Sequence, residues 1–548
     1  MNPRRERYRA IVETLSVHGF GFAVGAVGVA GRAPFRHGLP GHERGRTYAQ
    51  PEHLRLALEE LGPTFVKLGQ ILSTRPDLLP PEYVAELAKL QDSVAPEPSR
   101  AILDVVADEL GEHAVFDTLE PEPLASASIG QVHAATLQGT EVVVKVRRPG
   151  IVETVGVDLE IIENLAVRAS RRSSVAREHD IVGIAREFAV TFGNELDYLR
   201  EARNAERFAA NFAEDRDVHI PAVFWDATTS RVLTLERIRG VKISDLEALD
   251  AAGVDRRQLA VRAIRILCKM VFEDGFFHAD PHPGNFFVQP DGTLGIIDFG
   301  MVGELTQTLR EQLTDLLVGL TRGDLDRTTD GVVALTAASD SVDRAALRTD
   351  LDPLVSRFGG LSLADLGIGA LIKDLVAVVR RHHLRIPHDL ALLFKMLIMA
   401  EGLGQRLDPD FRFAPVLAPY AERLAIQRLA PEAIARRIAG FAHDLFDAGA
   451  ETPRSLRGLA TVLERGGFDV HLRAAELQQL ADQADRTGNR VIAGVIAAAL
   501  INGVGQIVAA TPGRWSALRG PLVVAGAGAL AALGAYLGKT SLPRDRRA

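Results

Sequence analysis

The chain has 548 residues, a formal net charge of −8 and one cysteine. Its length exceeds one typical hydrophobic core and points to two or more domains, while the acidic balance supplies no global basic field and argues against nucleic acid as the main partner. The lone Cys268, set in an apolar helical run, excludes a disulfide framework and reads as an inert core residue.

Lysine usage is informative, because only eight of the 63 basic residues are Lys. An ammonium is a compact point charge that a planar guanidinium does not reproduce, so a Lys retained in an Arg-rich chain hints at a specific demand. Two of the eight, Lys67 and Lys145, fall inside motifs.

The first 32 residues open with Arg4, Arg5, Arg7 and Arg9 and continue into a Gly-rich apolar stretch from Gly19 to Gly31 that superficially resembles a signal peptide. Glu13 and His18 interrupt it, so it reads as a membrane-proximal or core-packed helix rather than a cleaved leader. From Leu54 to Pro80, Leu54, Leu58, Leu61, Phe65, Leu68 and Leu72 recur at helical spacing, with Gly62-Pro63 as a kink or boundary. Lys67 and Gln70 share one face of this segment. Gly69 beside them leaves room for another backbone or a ligand.

Next, Ala125-Ser126-Ala127-Ser128-Ile129-Gly130-Gln131 precedes the strand-like Glu141-Val142-Val143-Val144-Lys145-Val146. This is the order of a phosphate-covering hairpin followed by the strand that bears a phosphate-binding lysine. Ala and Ser stand where a GxGxxG loop would carry glycines, leaving Gly130 alone, and each added methyl restricts backbone approach to phosphate. A helix glutamate should hold Lys145. Glu163 lies eighteen residues on, at ordinary kinase spacing, whereas Glu195 to Glu201 lie further along and imply an inserted helical stretch from about Ile151 to Arg172. Periodicity leaves both open. Arg231 to Ile238 reads as a strand entering a hinge near Glu236 and Arg237, where backbone groups would meet adenine.

His278-Ala279-Asp280-Pro281-His282-Pro283-Gly284-Asn285, followed by Asp298-Phe299-Gly300, carries the chemistry. Five positions separate Asp280 from Asn285, and thirteen separate Asn285 from Asp298. Those intervals are those of a catalytic loop with a base and a metal-binding amide, then two short strands ending in a DFG aspartate. Phosphoryl transfer depends on positioning the nucleotide and neutralising phosphate charge, so Asn285 and Asp298 are the expected Mg²⁺ ligands and Asp280 is expected to orient or deprotonate the acceptor. Two prolines in the octapeptide rule out a regular helix, which removes His278 and His282 as a helical zinc pair. Beyond Gly300 the chain turns directly into helical pattern at Glu304 to Leu317, with no activation segment. Ala430-Pro431-Glu432 stands 132 positions after Asp298, too far to be the kinase landmark. Asp280 follows Ala279 rather than Arg, so no arginine stands beside the base to sense a phosphorylated loop.

Residues 491–510 and 521–538 contain no charged side chain. At about 1.5 Å rise per residue each approaches the ~30 Å hydrocarbon thickness and reads as half of a transmembrane hairpin. Two arginines between the segments, against six Lys or Arg flanking the pair, place both ends on the cytoplasmic side.

With these residues assembled, the chain resembles the UbiB/AarF family of atypical, protein-kinase-like proteins from about Gln50 to Phe411. Lys67-Leu68-Gly69-Gln70 resembles the family's KxGQ motif, Ala125 to Gln131 its alanine-rich loop, and Glu195-Leu196-Asp197 its ExD motif. The resemblance implies that Glu201 holds Lys145 and that Lys67 lies over the nucleotide site facing Glu195 and Asp197. It further implies that the amino-terminal extension covers the place where peptide substrates dock in ordinary kinases. The expected fold is α+β: a bilobal, mostly helical, protein-kinase-like architecture with a helical N-terminal extension and a C-terminal transmembrane helix hairpin. Its expected parts are the extension (1–115), an N-lobe with helical insert (116–240), a C-lobe (241–410), a helical region (411–488) and the membrane hairpin (489–548).

The expected function is that of a membrane-anchored, Mg²⁺-ATP-dependent kinase-like ATPase supporting isoprenoid quinone or related lipid biosynthesis, with ADP as the alternative nucleotide. Expected partners are the nucleotide, a membrane lipid or quinone precursor, quinone-biosynthesis enzymes and a second copy of the chain. Two competing readings are a Ser/Thr protein kinase and a non-catalytic nucleotide-binding scaffold.

Overall fold

The computed structural model describes residues 3–20 and 49–420, apart from 76, 91–93, 112–114, 179, 337–341, 360–366, 414 and 418. All of them belong to one compact unit, Met1–Ala435. The two apolar stretches at 491–510 and 521–538 lie outside the described residues, as does most of Gly19 to Gly31. Among the described residues, no helix is long and apolar enough to cross a membrane.

The extension begins with α1 (Pro3–Leu15), α2 (Gln50–Leu61) and α3 (Pro63–Ser73). Gly62 separates the last two with φ +93°, a value that suits glycine, and Pro63 starts α3 where its missing N–H costs nothing. The expected kink is therefore a break between two helices. α4 (Pro81–Leu87) follows, and Ile11, Leu58, Leu61, Phe65, Val66, Leu87 and Leu90 form one buried cluster with Ile161. α1 is thus packed into a core, while the Gly-rich stretch on which the membrane-proximal or core-packed reading turned lies mostly outside the described residues.

After α5 (Ser99–Leu110), β1 (Thr118–Ser126), β2 (Gly130–Leu137) and β3 (Thr140–Arg147) run antiparallel. The insert follows as α6 (Ile151–Arg172), α7 (Ser174–Glu178) and α8 (Ile181–Glu195), and leads into α9 (Tyr198–Asn211). The expected Ile151 to Arg172 helix is present with those limits. Two short strands, β4 (Val218–His219) and β5 (Val232–Glu236), follow; β5 completes the N-lobe sheet in the order β1-β2-β3-β5. Strand periodicity decides where Lys145 points: Val142, Val144 and Val146 are fully buried against the α5 side, so Lys145 takes the opposite face.

The C-lobe comprises β6 (Val241–Lys242), α10 (Leu246–Ala251), α11 (Arg256–Lys269), β7 (Phe276–His278), β8 (Phe286–Val288), β9 (Leu294–Ile296) and β10 (Val302–Glu304). Its ladders are β4-β9-β8-β6 and β10-β7. Helices α12 (Gln307–Arg322), α13 (Leu325–Leu335), α14 (Arg344–Phe358), α15 (Ile368–Arg381) and α16 (His388–Leu407) complete it. Only two residues separate β10 from α12, the one addition to the helical pattern expected after Gly300 being β10 itself.

Candidate active site

Lys145 is placed by β3, and its partner by the first turn of α9. Asp197 caps that helix by accepting the Leu199 N–H at 3.1 Å, which fixes where the helix starts and so where Glu201 points. Lys145 Nζ is ion-paired with Glu201 and lies 3.8 Å from Asp298 Oδ1. Burial works against the ammonium, but Asp298 and Glu201 together outweigh it and raise the lysine above its ordinary value. Glu163, the alternative at ordinary spacing, instead pairs with Arg186 at 2.9 Å on the exposed side of the insert. The insert occupies the stretch of sequence in which an ordinary kinase places that glutamate.

Enclosure opposes ionisation of Asp298 as well, yet Lys145 and the Gly300 N–H, 3.0 Å from its Oδ1, hold its carboxyl at about 2. Phe299 is fully buried, 5.4 Å from the Phe208 ring, and its carbonyl accepts from Asn204 Nδ2 at 2.9 Å. α9 therefore supplies two anchors three residues apart, Glu201 for the lysine and Asn204 for the turn that carries Asp298.

The thirteen-residue interval has a simple structural cause. β8 and β9 form an antiparallel pair in which Phe286 faces Ile296 and Val288 faces Leu294. Asn285 and Asp298 consequently flank the same open end, tied by the Ile297 N–H to the Asn285 carbonyl at 3.1 Å. Asn285 Nδ2 donates to the Asp280 carbonyl at 3.3 Å, which turns its Oδ1 away from that contact. An amide oxygen and a carboxylate beside a phosphate space are the hard donors Mg²⁺ takes. Both histidines serve the loop backbone: His278 Nδ1 accepts the Asp280 N–H, and His282 Nδ1 accepts the Gly284 N–H, each at 3.1 Å.

The roof is the β1–β2 hairpin, closed by the Ala127 N–H to the Gly130 carbonyl at 2.8 Å. Ala125, Ala127, Ile129, Gly130 and Gln131 line the cleft. Ser126 and Ser128 do not: the first accepts from Arg148 Nη2 at 2.8 Å and the second is buried. Gly130 is required by packing, since a Cβ there would stand 2.1 Å from the Tyr198 hydroxyl and 2.7 Å from the Val146 carbonyl.

Lys67 comes from α3 and meets Glu195 at 2.7 Å, with Met301 Sδ 3.9 Å away. Asp197, expected beside it, is the α9 cap described above and lines a neighbouring cavity of about 430 Å³ instead. Gln70 donates to the Leu90 carbonyl at 3.3 Å. Gly69 makes room for leucine side chains, not for backbone or ligand: a Cβ would sit 2.3 Å from Leu90 Cδ1 and 2.8 Å from Leu58 Cδ1.

At the hinge, Glu236 and Ile238 both line the cleft. The Glu236 N–H is bonded to the Ala222 carbonyl at 2.9 Å and the Arg237 N–H to the Glu141 carbonyl at 3.1 Å. Those two donors, expected to meet adenine, are therefore engaged within the protein. The whole cleft holds about 570 Å³ and brings Lys67, Lys145, Glu195, Glu201, Asp280, Asn285 and Asp298 onto one wall-to-wall surface.

Sequence reasoning missed three residues of this arrangement. Arg148 ties the roof down, donating to the Ala127 carbonyl at 3.0 Å and the Ala95 carbonyl at 2.8 Å. Tyr198 backs Gly130. Lys395, in α16, pairs with Asp280 at 2.8 Å. The scarcity of lysine is the one signal that could have singled out Lys395.

Two lobes joined at a cleft, a strand lysine held by a helix glutamate and a DFG turn define a protein-kinase-like fold. Residues 89–331 match the ABC1 atypical kinase-like domain and residues 351–412 the UbiB helical domain. A probable protein kinase UbiB of Pseudomonas entomophila is 36% identical over 85% of this chain and 86% of its own length. An uncharacterised protein of Synechocystis is 36% identical over 79% of this chain and 76% of its own. The chloroplast protein Activity of bc1 complex kinase 7 of Arabidopsis thaliana is 39% identical over 68% of this chain and 54% of its own. The chain belongs to the UbiB/ABC1 family of atypical kinase-like proteins.

Proposed function

We propose that the protein is a membrane-anchored, Mg²⁺-ATP-dependent kinase-like ATPase that supports isoprenoid quinone or related lipid biosynthesis at the cytoplasmic face of a bacterial membrane. The observation that carries the nucleotide part is Lys145 Nζ, held by Glu201 and 3.8 Å from Asp298 inside a cleft of about 570 Å³. In this reading Lys145 binds the α- and β-phosphates of ATP or ADP beneath the Ala125 to Gln131 roof. Asn285 and Asp298 hold Mg²⁺, which neutralises phosphate charge. Asp280 orients or deprotonates the acceptor, and Lys67 with Glu195 gates the site from the extension. The lipid part rests on the family's association with quinone biosynthesis and on the two uncharged stretches near the C-terminus. Partner enzymes of that biosynthesis and a second copy of the chain belong to the same reading. The two-residue link from β10 to α12 provides no platform for a peptide, which favours a small or lipidic acceptor over a protein one.

The test is ATP hydrolysis by the purified protein with and without liposomes carrying quinone-precursor mimics. Lipid-stimulated turnover in the wild type, lost in Asp298→Asn and reduced in Lys67→Arg, is the expected result. Nucleotide binding without lipid-stimulated hydrolysis points to a scaffold. Phosphate transfer onto a protein in trans, lost in Asp280→Ala, points to a Ser/Thr kinase.

A further inference from the structure

Asp280 draws its partner from beyond the residues that match the ABC1 kinase-like domain. Lys395 Nζ lies 2.8 Å from Asp280 Oδ1, and Lys395 stands on α16, within the segment that matches the UbiB helical domain. The residues on either side, Phe394 and Met396, are buried, as are Leu392, Leu393 and Leu397. The helix is therefore locked in register against the core, and packing delivers its single ammonium to Asp280, a residue of the cleft wall, with only the flexible side-chain stem left to move.

The site needs a cation at that point. Residues 278–285, which carry Asp280, contain neither Lys nor Arg. Lys145 is paired with Glu201 and Asp298 rather than with Asp280, and Asn285, which donates to the Asp280 carbonyl at 3.3 Å, brings no charge. Where the acceptor, the base and the terminal phosphoryl group meet, charge develops on the transferred oxygens and has to be offset by a fixed donor. An ammonium already bonded to the base is at that meeting point. An ammonium is a compact point charge that a guanidinium fork does not reproduce, and the chain keeps one of its eight lysines here.

Resting on the phosphotransfer reading above, we propose that Lys395 is a catalytic cation supplied by the helical domain, shared between Asp280 and the terminal phosphoryl oxygens of a bound nucleoside triphosphate. In the transfer, the acceptor oxygen forms a bond to the terminal phosphorus and the bond from that phosphorus to the bridging oxygen breaks. The acceptor proton passes to Asp280, and the nucleoside diphosphate leaves. Lys395 remains protonated throughout and offsets charge on the transferred group. It follows that Lys395 distinguishes a triphosphate from a diphosphate, and that the helical domain is part of the active site.

The experiment uses the full chain. Calorimetry measures binding of the Mg²⁺ complexes of a non-hydrolysable ATP analogue and of ADP, alongside steady-state hydrolysis, for wild type, Lys395→Met, Lys395→Arg and the exposed α15 control Lys373→Met. Lys395→Met should weaken the triphosphate analogue on the order of tenfold while leaving ADP unchanged. Its kcat should fall on the order of 10²–10³-fold. Lys395→Arg should recover analogue binding but only part of kcat, and Lys373→Met should match wild type. Should Lys395→Met fold poorly because Asp280 loses its partner, the double variant Asp280→Asn/Lys395→Met removes the orphaned charge and must still show the analogue-specific loss relative to Asp280→Asn. Equal weakening of both nucleotides, or unchanged analogue affinity, overturns the proposal. A wild type that binds the analogue without turning over ATP defeats the phosphotransfer reading alone, because the triphosphate–diphosphate contrast still decides the role of Lys395.

Discussion

Asp298 combines a carboxyl near 2 with a position 3.8 Å from the Lys145 ammonium, so the pair stays charged across the whole working range of pH. Its folded value lies below the ordinary 3.8, so the stability it contributes is fully present above about pH 4 and is lost as pH falls toward 2. Thermal midpoints measured downward from pH 5 should therefore fall more steeply for wild type than for Asp298→Asn; parallel curves would contradict the pairing. Cys268 shows the opposite effect of burial on an isolated group. With its side chain 1% exposed, desolvation pushes the thiol up to about 12, and an alkylating reagent at neutral pH should leave the folded protein unlabelled. Labelling under native conditions would show that α11 opens. The inert character of this residue was legible from its apolar neighbours. The partner of Lys145 was legible only through the family resemblance, which pointed to Glu201; counting along the chain reaches Glu163 first and leaves both open.

At the scale of elements, the roof and the extension each have a contact whose removal can be measured. Gly130→Ala would drive a methyl into the Tyr198 hydroxyl and the Val146 carbonyl, at a cost of roughly 1–3 kcal/mol typical of overpacking. Adding Tyr198→Phe removes the closer clash and should restore part of the lost thermal stability; no recovery would place the strain elsewhere. α1 is fastened to α6 by Arg7, whose Nε and Nη2 reach the two oxygens of buried Asp158 at 2.7 and 2.8 Å. Arg7→Met leaves that carboxylate without its guanidinium and should cost on the order of 3–5 kcal/mol. Arg4→Met, which breaks only the exposed pair with Glu160, should cost about 1 kcal/mol or less. Denaturant unfolding of the two variants separates these values. Helix breaks of this kind were readable from Gly62-Pro63, since backbone chemistry is local. What Gly69 makes room for was not, because Leu90 and Leu58 come from other turns of the chain.

The whole molecule assembles one cleft from segments far apart in sequence. The extension brings Lys67, the N-lobe Lys145, the insert Glu195, the C-lobe Asp280, Asn285 and Asp298, and the helical segment sets Lys395 against Asp280. Sequence spacing disclosed the residues whose relation is carried by a single hairpin, as Asn285 and Asp298 are by β8 and β9. It was silent on Lys395, 115 positions beyond its partner and joined to it only by packing of α16 on the lobe. The most direct measurement is thermal stabilisation by Mg²⁺-nucleotide, compared between wild type and Asp298→Asn. The account predicts a Mg²⁺-dependent rise in melting temperature for wild type that disappears in the variant. The same Mg²⁺-dependent rise in both would contradict it.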